Sequence, residues 1–173
     1  WAAEQGLIKA WDTVGRLEMV IITAPGNPKG IETIEDLGRP DLRVGVGNRQ
    51  YSTSGVMFQS ILDKLPEARA EAIRGNIRVE TKGHQQRCND VALGLLDAGV
   101  VWNAVAHLFR DKLEIIPVPS SYVDSVTSAT YARSDLRNVK VTVGLTAYCR
   151  SPQAARRFYE FATRDCRQVW RQF

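Results

Sequence analysis

VALGLLDAGVVW, residues 91–102, changes its pattern part-way along, and that change decides the fold class. Its first half completes a helix expected from Arg87 to Leu96. Its second, AGVVW (98–102), is a compact apolar strand. Asn103 follows at once and is a candidate cap for a helix over AVAHLFRD (104–111). Helix, strand, helix within one short span is the rhythm of an α/β protein.

The rhythm continues in both directions. Upstream, NIRVET (76–81) reads as a strand, and EARAEAIRG (67–75) as a helix opened by Pro66 and stopped at Gly75 and Asn76. SGVMFQSILDKL (54–65) sets Phe58, Ile61, Leu62 and Leu65 at helical spacing, and LRVGVG (42–47) before it is a strand joined through the loop NRQYST. IETIEDLGRPD (31–41) predicts one helical turn capped by Thr33 and closed by Gly38 and Pro40. LEMVIIT (17–23) predicts a buried strand bounded by the turn segment APGNPKG, and AAEQGLIKAW (2–11) reads as a helix. Downstream, LEIIPVP (113–119) is a strand ended by prolines, and VKVTVGLTAYC (139–149) carries the strongest β-branched alternation in the chain. Ser151-Pro152 supplies cap and first-turn proline in the right order for a last helix running to the end, with Ala155, Phe158, Phe161, Ala162, Val169 and Phe173 on or near one face. The expected class is α/β with a mainly parallel sheet flanked by helices.

Composition excludes several functions. With 173 residues, 44% of them hydrophobic and 24% charged, the chain is globular and long enough for one core or two small lobes. A net charge of +4, with Arg156-Arg157 as the longest basic run, falls short of a nucleic-acid footprint. No apolar stretch approaches the ~20 residues of a membrane span, and no signal peptide is visible. The chain opens at Trp1 inside an apparent helix, so we expect a processed chain or a piece of a longer one. Cys88, Cys149 and Cys166 have no C-x-x-C spacing. Cys149–Cys166 is the one disulfide worth considering, and idle thiols are the expectation.

Catalytic constellations are scarce. His84 and Cys88 share a helix face, but two ligands do not make a metal site. Asp90 and Asp97 have no partner that suggests acid–base work. GVGNRQ (45–50) has glycines after a strand yet lacks the third glycine and the lysine of nucleotide loops. Neither an enzyme nor a cofactor is expected. The remaining candidates are two strand-to-helix junctions, NRQYSTSG (48–55) and TKGHQQ (81–86), whose helix N-termini expose N–H groups to an anion. A capped helix with no ligand explains either junction alone, and two at neighbouring strand ends strengthen the binding reading.

The segment NPKGIETIEDLGRPDLRVGVGNRQYSTSGVMFQSIL (27–62) resembles type II periplasmic solute-binding proteins, in which an Asn-Pro turn follows a crossover strand. VALGLLDAGVVW is similar to that family's V-x-x-G-E-A-D-A-G-I-V-Y box, and residues 143–173 resemble its return strand and terminal helix. The nearest branch is the molybdate- and tungstate-binding proteins of ABC importers. The likeness covers residues 3–117 and 139–173. It implies a partial first lobe and crossover strand at 1–24, a second lobe at 25–137, and the first lobe's return strand and terminal helix at 138–173. The opening strands and helices of the first lobe, with two serine-bearing anion loops, fall outside it. Trp102 stands where the family has a ligand-facing tyrosine, and Thr53 replaces the proline before the small residue of the first junction.

By resemblance, then, the ligand contacts are Thr53, Ser54 and His84, the latter two through backbone N–H groups, with Trp102 alongside. Neutral backbone donors are expected to hold the anion without a buried counter-charge. The implied function is binding of a tetrahedral oxyanion for import, in the periplasm or another extracytoplasmic space. The implied partners are a membrane transporter subunit and another chain or segment completing the first lobe. The alternative is a relative of this fold acting as an interaction or structural subunit. Contact with another chain or segment is expected at 17–23 or at 154–173, because the apolar faces of both lack visible partners.

Overall fold

The computed structural model describes residues 2–122, 126–127, 133–134 and 139–170. In chain order the elements are β1 (Ile8–Leu17), β2 (Met19–Thr23), β3 (Val44–Gly47), α1 (Thr53–Leu62), α2 (Glu67–Asn76), β4 (Ile77–Thr81), α3 (His84–Ala92), β5 (Ala98–Trp102), α4 (Asn103–His107) and β6 (Glu114–Pro117). They continue with β7 (Val126–Thr127), β8 (Arg133–Ser134), β9 (Val139–Thr146), α5 (Pro152–Glu160) and α6 (Arg167–Trp170). The chain divides into two compact units, Glu18–Asn138 and Trp1–Leu17 with Val139–Phe173.

The larger unit is built on a five-stranded sheet of order β4-β3-β5-β2-β6. β3 pairs in parallel with β4 and β5, while β2 is antiparallel to both of its neighbours. Four strands therefore share one direction and β2 alone opposes them, so the sheet is mainly parallel with one reversed strand. Every residue of β2, β3 and β5 is buried. Val20, Ile22 and Val101 form a core with Cys88 and Val91 of α3, Leu96, Ala106 and Leu113. On the opposite face, by the two-residue alternation of a strand, Ile21 and Val100 are as deeply buried. Cover on both faces is why MVIIT and AGVVW read as unbroken apolar runs. Of the two segments at which outside contact was expected, Met19–Thr23 does not need it, because β2 lies between β5 and β6 and is covered by its own unit.

Local signals set most boundaries. Thr33 Oγ1 accepts the Asp36 N–H while the Asp36 carboxylate accepts those of Glu32 and Thr33, closing a short 3-10 turn at Glu35–Gly38. The helix expected from Arg87 to Leu96 instead runs from His84 to Ala92. Gly94, at φ +70°, ends it: the Leu95 N–H reaches Asp90 O and the Gly94 N–H reaches Val91 O, the paired bonds of a Schellman motif. Asn103 does not cap α4. Its Oδ1 accepts the Glu18 N–H at 3.0 Å, and its own N–H donates to Glu18 O, so it ties β5 to the start of β2.

The smaller unit pairs β1 with β9, antiparallel, and sets α5 against β9. Here the sequence expectation of a helix over 2–11 is wrong. Residues 2–7 turn, with Gly6 at φ +68°, and Ile8 onward is strand. Ala, Glu and Gln favour helix locally, but the partner strand lies more than a hundred residues away and overrides them. The last helix is not continuous. The Cys166 N–H reaches back five residues to Phe161 O, and Thr163 Oγ1 donates to Tyr159 O, so a wide π-turn over Phe161–Asp165 separates α5 from α6. Pro152 stands at the first turn of α5, but Ser151 makes no side-chain cap bond. Phe158 and Phe161 are exposed, whereas Phe173 lies outside the described residues. Cys88, Cys149 and Cys166 are free thiols.

Candidate functional site

The C-terminal ends of β3 and β4 and of β5, which runs parallel to β3, bring both sequence junctions into the larger unit. The Asn48 N–H bonds Thr81 O at 2.9 Å, so the loop leaving β3 is tied to the end of β4. Beyond it, Lys82 Nζ lies 4.1 Å from the centroid of the Tyr51 ring, linking the two loops a second time.

At the first junction Ser52 is the N-cap of α1 and Thr53 its first helical residue. Ser52 Oγ accepts the Gly55 N–H at 3.1 Å and lies 3.1 Å from Ser54 Oγ. Thr53 is half-buried as the first helical residue and Ser54 is buried behind it. Two glycines allow this close fit. A Cβ on Gly55 would stand 2.3 Å from Gly47 O, and one on Gly47 would stand 2.5 Å from Ser52 Oγ. With Ser52 receiving the Gly55 N–H, those of Thr53 and Ser54 remain first-turn donors suited to an outside acceptor.

At the second junction the N-cap of α3 is Gly83, which offers no side-chain bond to the first turn. His84 opens the helix, and its ring centroid lies 6.0 Å from that of Trp102, which closes β5. Trp102 itself is buried, with 9% of the residue exposed.

Sequence reading missed the residue beneath. Arg87 is fully buried, at 0% exposure. Its Nη1 donates to Thr81 Oγ1 at 2.6 Å and to the carbonyls of Val46 and Thr81, and its Nη2 lies 2.7 Å from His84 Nδ1. Nε has no hydrogen-bond partner among the described residues. No carboxylate is among these partners, which is unusual for a buried cation. Burial pulls the Arg87 guanidinium down to about 10, so it stays charged at neutral pH. Burial, and then the charge of Arg87, lower His84 to about 4, so its imidazole is neutral there. An i,i+3 spacing on a helix relates the two residues, but the sequence holds no sign that Arg87 is buried.

The other residues singled out earlier have structural roles. Burial pushes the Cys88 thiol up to about 11, within the core under α3. Asp97 takes two bonds of 3.0 Å from the Arg43 side chain and one from its backbone N–H, pinning the start of β3 to that of β5. Those bonds hold its carboxyl below the ordinary carboxylate range. Among the described residues, no three His, Cys, Asp or Glu side chains gather as a metal site.

The family model for bacterial extracellular solute-binding proteins matches residues 2–173. The chain belongs to that family. As a solute-binding protein it shares its fold with several solved structures. One is a substrate-binding domain assigned to a molybdenum ABC transporter from Clostridium difficile: TM-score 0.68, 16% identity, covering 99% of this chain and 68% of that one. PEB3 of Campylobacter jejuni, bound to L-phospholactate, gives 0.71 at 15% identity, covering 98% and 71%. The periplasmic molybdate-binding protein of Azotobacter vinelandii gives 0.63 at 19%, covering 93% and 65%. At such identities the likeness establishes the type II periplasmic-binding-protein fold that the sequence resembled. No curated protein matches the chain in sequence.

Proposed function

We propose that this solute-binding protein holds a tetrahedral oxyanion of the molybdate or tungstate kind, as the extracytoplasmic binding component of an ABC importer, and is not an enzyme. The observation that carries the reading is a buried cation without a carboxylate, set under an uncapped helix N-terminus. Such a corner is short of negative charge, and an anion supplies it. The first-turn N–H groups of Thr53 and Ser54 and that of His84 are the donors, and Trp102 borders them. Charge-assisted bonds of this type contribute roughly 1.5–3 kcal/mol each. Arg87 modifies the expectation drawn from sequence: the donors are neutral, yet a positive charge stands behind them.

Molybdate-binding relatives of the same fold support the choice of anion. We read Glu18–Asn138 as the second lobe, and Trp1–Leu17 with Val139–Phe173 as part of the first. The sequence reading places 1–24 in the first lobe and begins the second at 25; the compact unit that includes β2 supports beginning it at Glu18. The exposed Phe158 and Phe161 support the reading that a further segment or chain completes the first lobe.

Calorimetric titration with molybdate, tungstate, sulfate and phosphate tests the reading. Saturable heat with molybdate or tungstate is expected. No heat with any of the four would leave the alternative, an interaction subunit built on this fold.

A further inference from the structure

Resting on the oxyanion reading, we propose that the His84 side chain, and not only its backbone, donates to the ligand, and that Arg87 is the positioning residue that makes it a donor. A guanidinium carries donors only. The nitrogen 2.7 Å from Arg87 Nη2, His84 Nδ1, must therefore be the bare acceptor. The imidazole proton is then on Nε2, the nitrogen on the far side of the ring from Arg87. Arg87 is itself immobilised by Thr81 Oγ1 and by the carbonyls of Val46 and Thr81, so the tautomer is imposed by the ends of β3 and β4 rather than chosen by solvent.

The ring stands at the start of α3, whose first turn receives no side-chain cap, and beside the Trp102 indole at 41° between planes. A second proton on Nδ1 would set donor against donor and charge against charge. The Nε2–H is thus a fixed neutral donor over the physiological range, which suits an acceptor-only oxyanion. Among the groups at this corner, Arg87 supplies charge from below while His84 supplies the directed bond. A purely structural Arg87–His84 pair would hold the helix start but would leave anion affinity indifferent to the imidazole.

Two readouts test this on the intact protein. Long-range proton–nitrogen correlation spectra of 15N-labelled protein report the tautomer without any ligand. The wild type should show the Nε2–H form, and Arg87→Met and Arg87→Leu, which carry no donor, should show a mixture of tautomers. An Nδ1–H form in the wild type, or an unchanged His84 pattern in both variants, overturns the positioning role. Titration with molybdate and sulfate then compares His84→Phe, His84→Asn and His84→Gln, which keep the backbone N–H and leave Arg87 in place with its bonds to Thr81 and Val46.

Loss of one directed bond to an anion should weaken His84→Phe about tenfold to a hundredfold. Gln, whose amide reaches the place of Nε2, should stay within about threefold of wild type, and Asn should fall with Phe. Wild-type binding with His84→Phe equally tight overturns the donor role and leaves the oxyanion reading intact. Absence of binding by the wild type to either anion, or to tungstate and phosphate, overturns both.

Discussion

A Cβ on Gly47 would stand 2.5 Å from Ser52 Oγ, 2.7 Å from Ser54 Oγ and 2.9 Å from Gly55 N. Gly47→Ala must therefore push the start of α1 away from β3. We expect a loss of roughly 1–3 kcal/mol in urea unfolding, together with weaker anion binding. His84 makes the second prediction at this scale. Its folded value of about 4 lies below its ordinary 6.5, so the unfolded chain takes up the proton first. The neutral imidazole's contribution is complete above about pH 6.5 and is lost as pH falls toward 4. Urea midpoints measured across that window should decline in the wild type and be flatter in His84→Phe. The strand-to-helix junction at 48–55 was legible in the sequence, whereas the close approach at Gly47 was not. Nor was Arg87, because one arginine on a polar helix looks the same in sequence whether it meets water or the sheet.

Within the elements, the caps are the sensitive points. Ser52→Ala removes the side-chain acceptor of the Gly55 N–H and should cost about 1 kcal/mol of stability. Ser52 and Ser54 lie side by side, so the same change should also loosen the first junction. Calorimetric titration beside thermal unfolding separates the two effects. Strand positions in the larger unit were legible because apolar runs of the right length lay between turn residues, and AGVVW is the strand Ala98–Trp102 without adjustment. Helix ends were less so. Gly94 lay inside the expected helix, and only its left-handed backbone turns it into the stop. Asn103 had the right type for a cap, yet a bond to Glu18 across the sheet took its side chain first.

At the scale of the whole molecule, burial is unevenly shared. Among the described residues, the buried apolar set draws one member, Ala162, from the unit containing β1 and β9, and all others from Glu18–Asn138. Regions with few buried apolar contacts open locally more often. Amide hydrogen exchange should therefore be slowest in β2, β3 and β5 and faster along β1 and β9. A fragment of residues 18–138 should keep cooperative unfolding. Equal protection in both sheets would show that stability is not distributed as the core is.

The α/β class and the buried run at 19–23 follow from what the sequence itself encodes, since hydrophobic period and turn chemistry are local properties, whereas the reversed direction of that run is set by its pairing with β5 and β6. The family resemblance rests on contiguous motifs of the same local kind. Tertiary structure alone decided that AAEQGLIKAW runs from turn into strand, because β9 is distant in sequence and supplies the hydrogen bonds that local propensity cannot. It alone decided that Met19–Thr23 is covered from within, because β5 and β6 close on both edges. And it alone put an arginine beneath His84, because burial is a property of what surrounds a side chain, and the carbonyls that receive Arg87 come from strands 6 and 41 residues away.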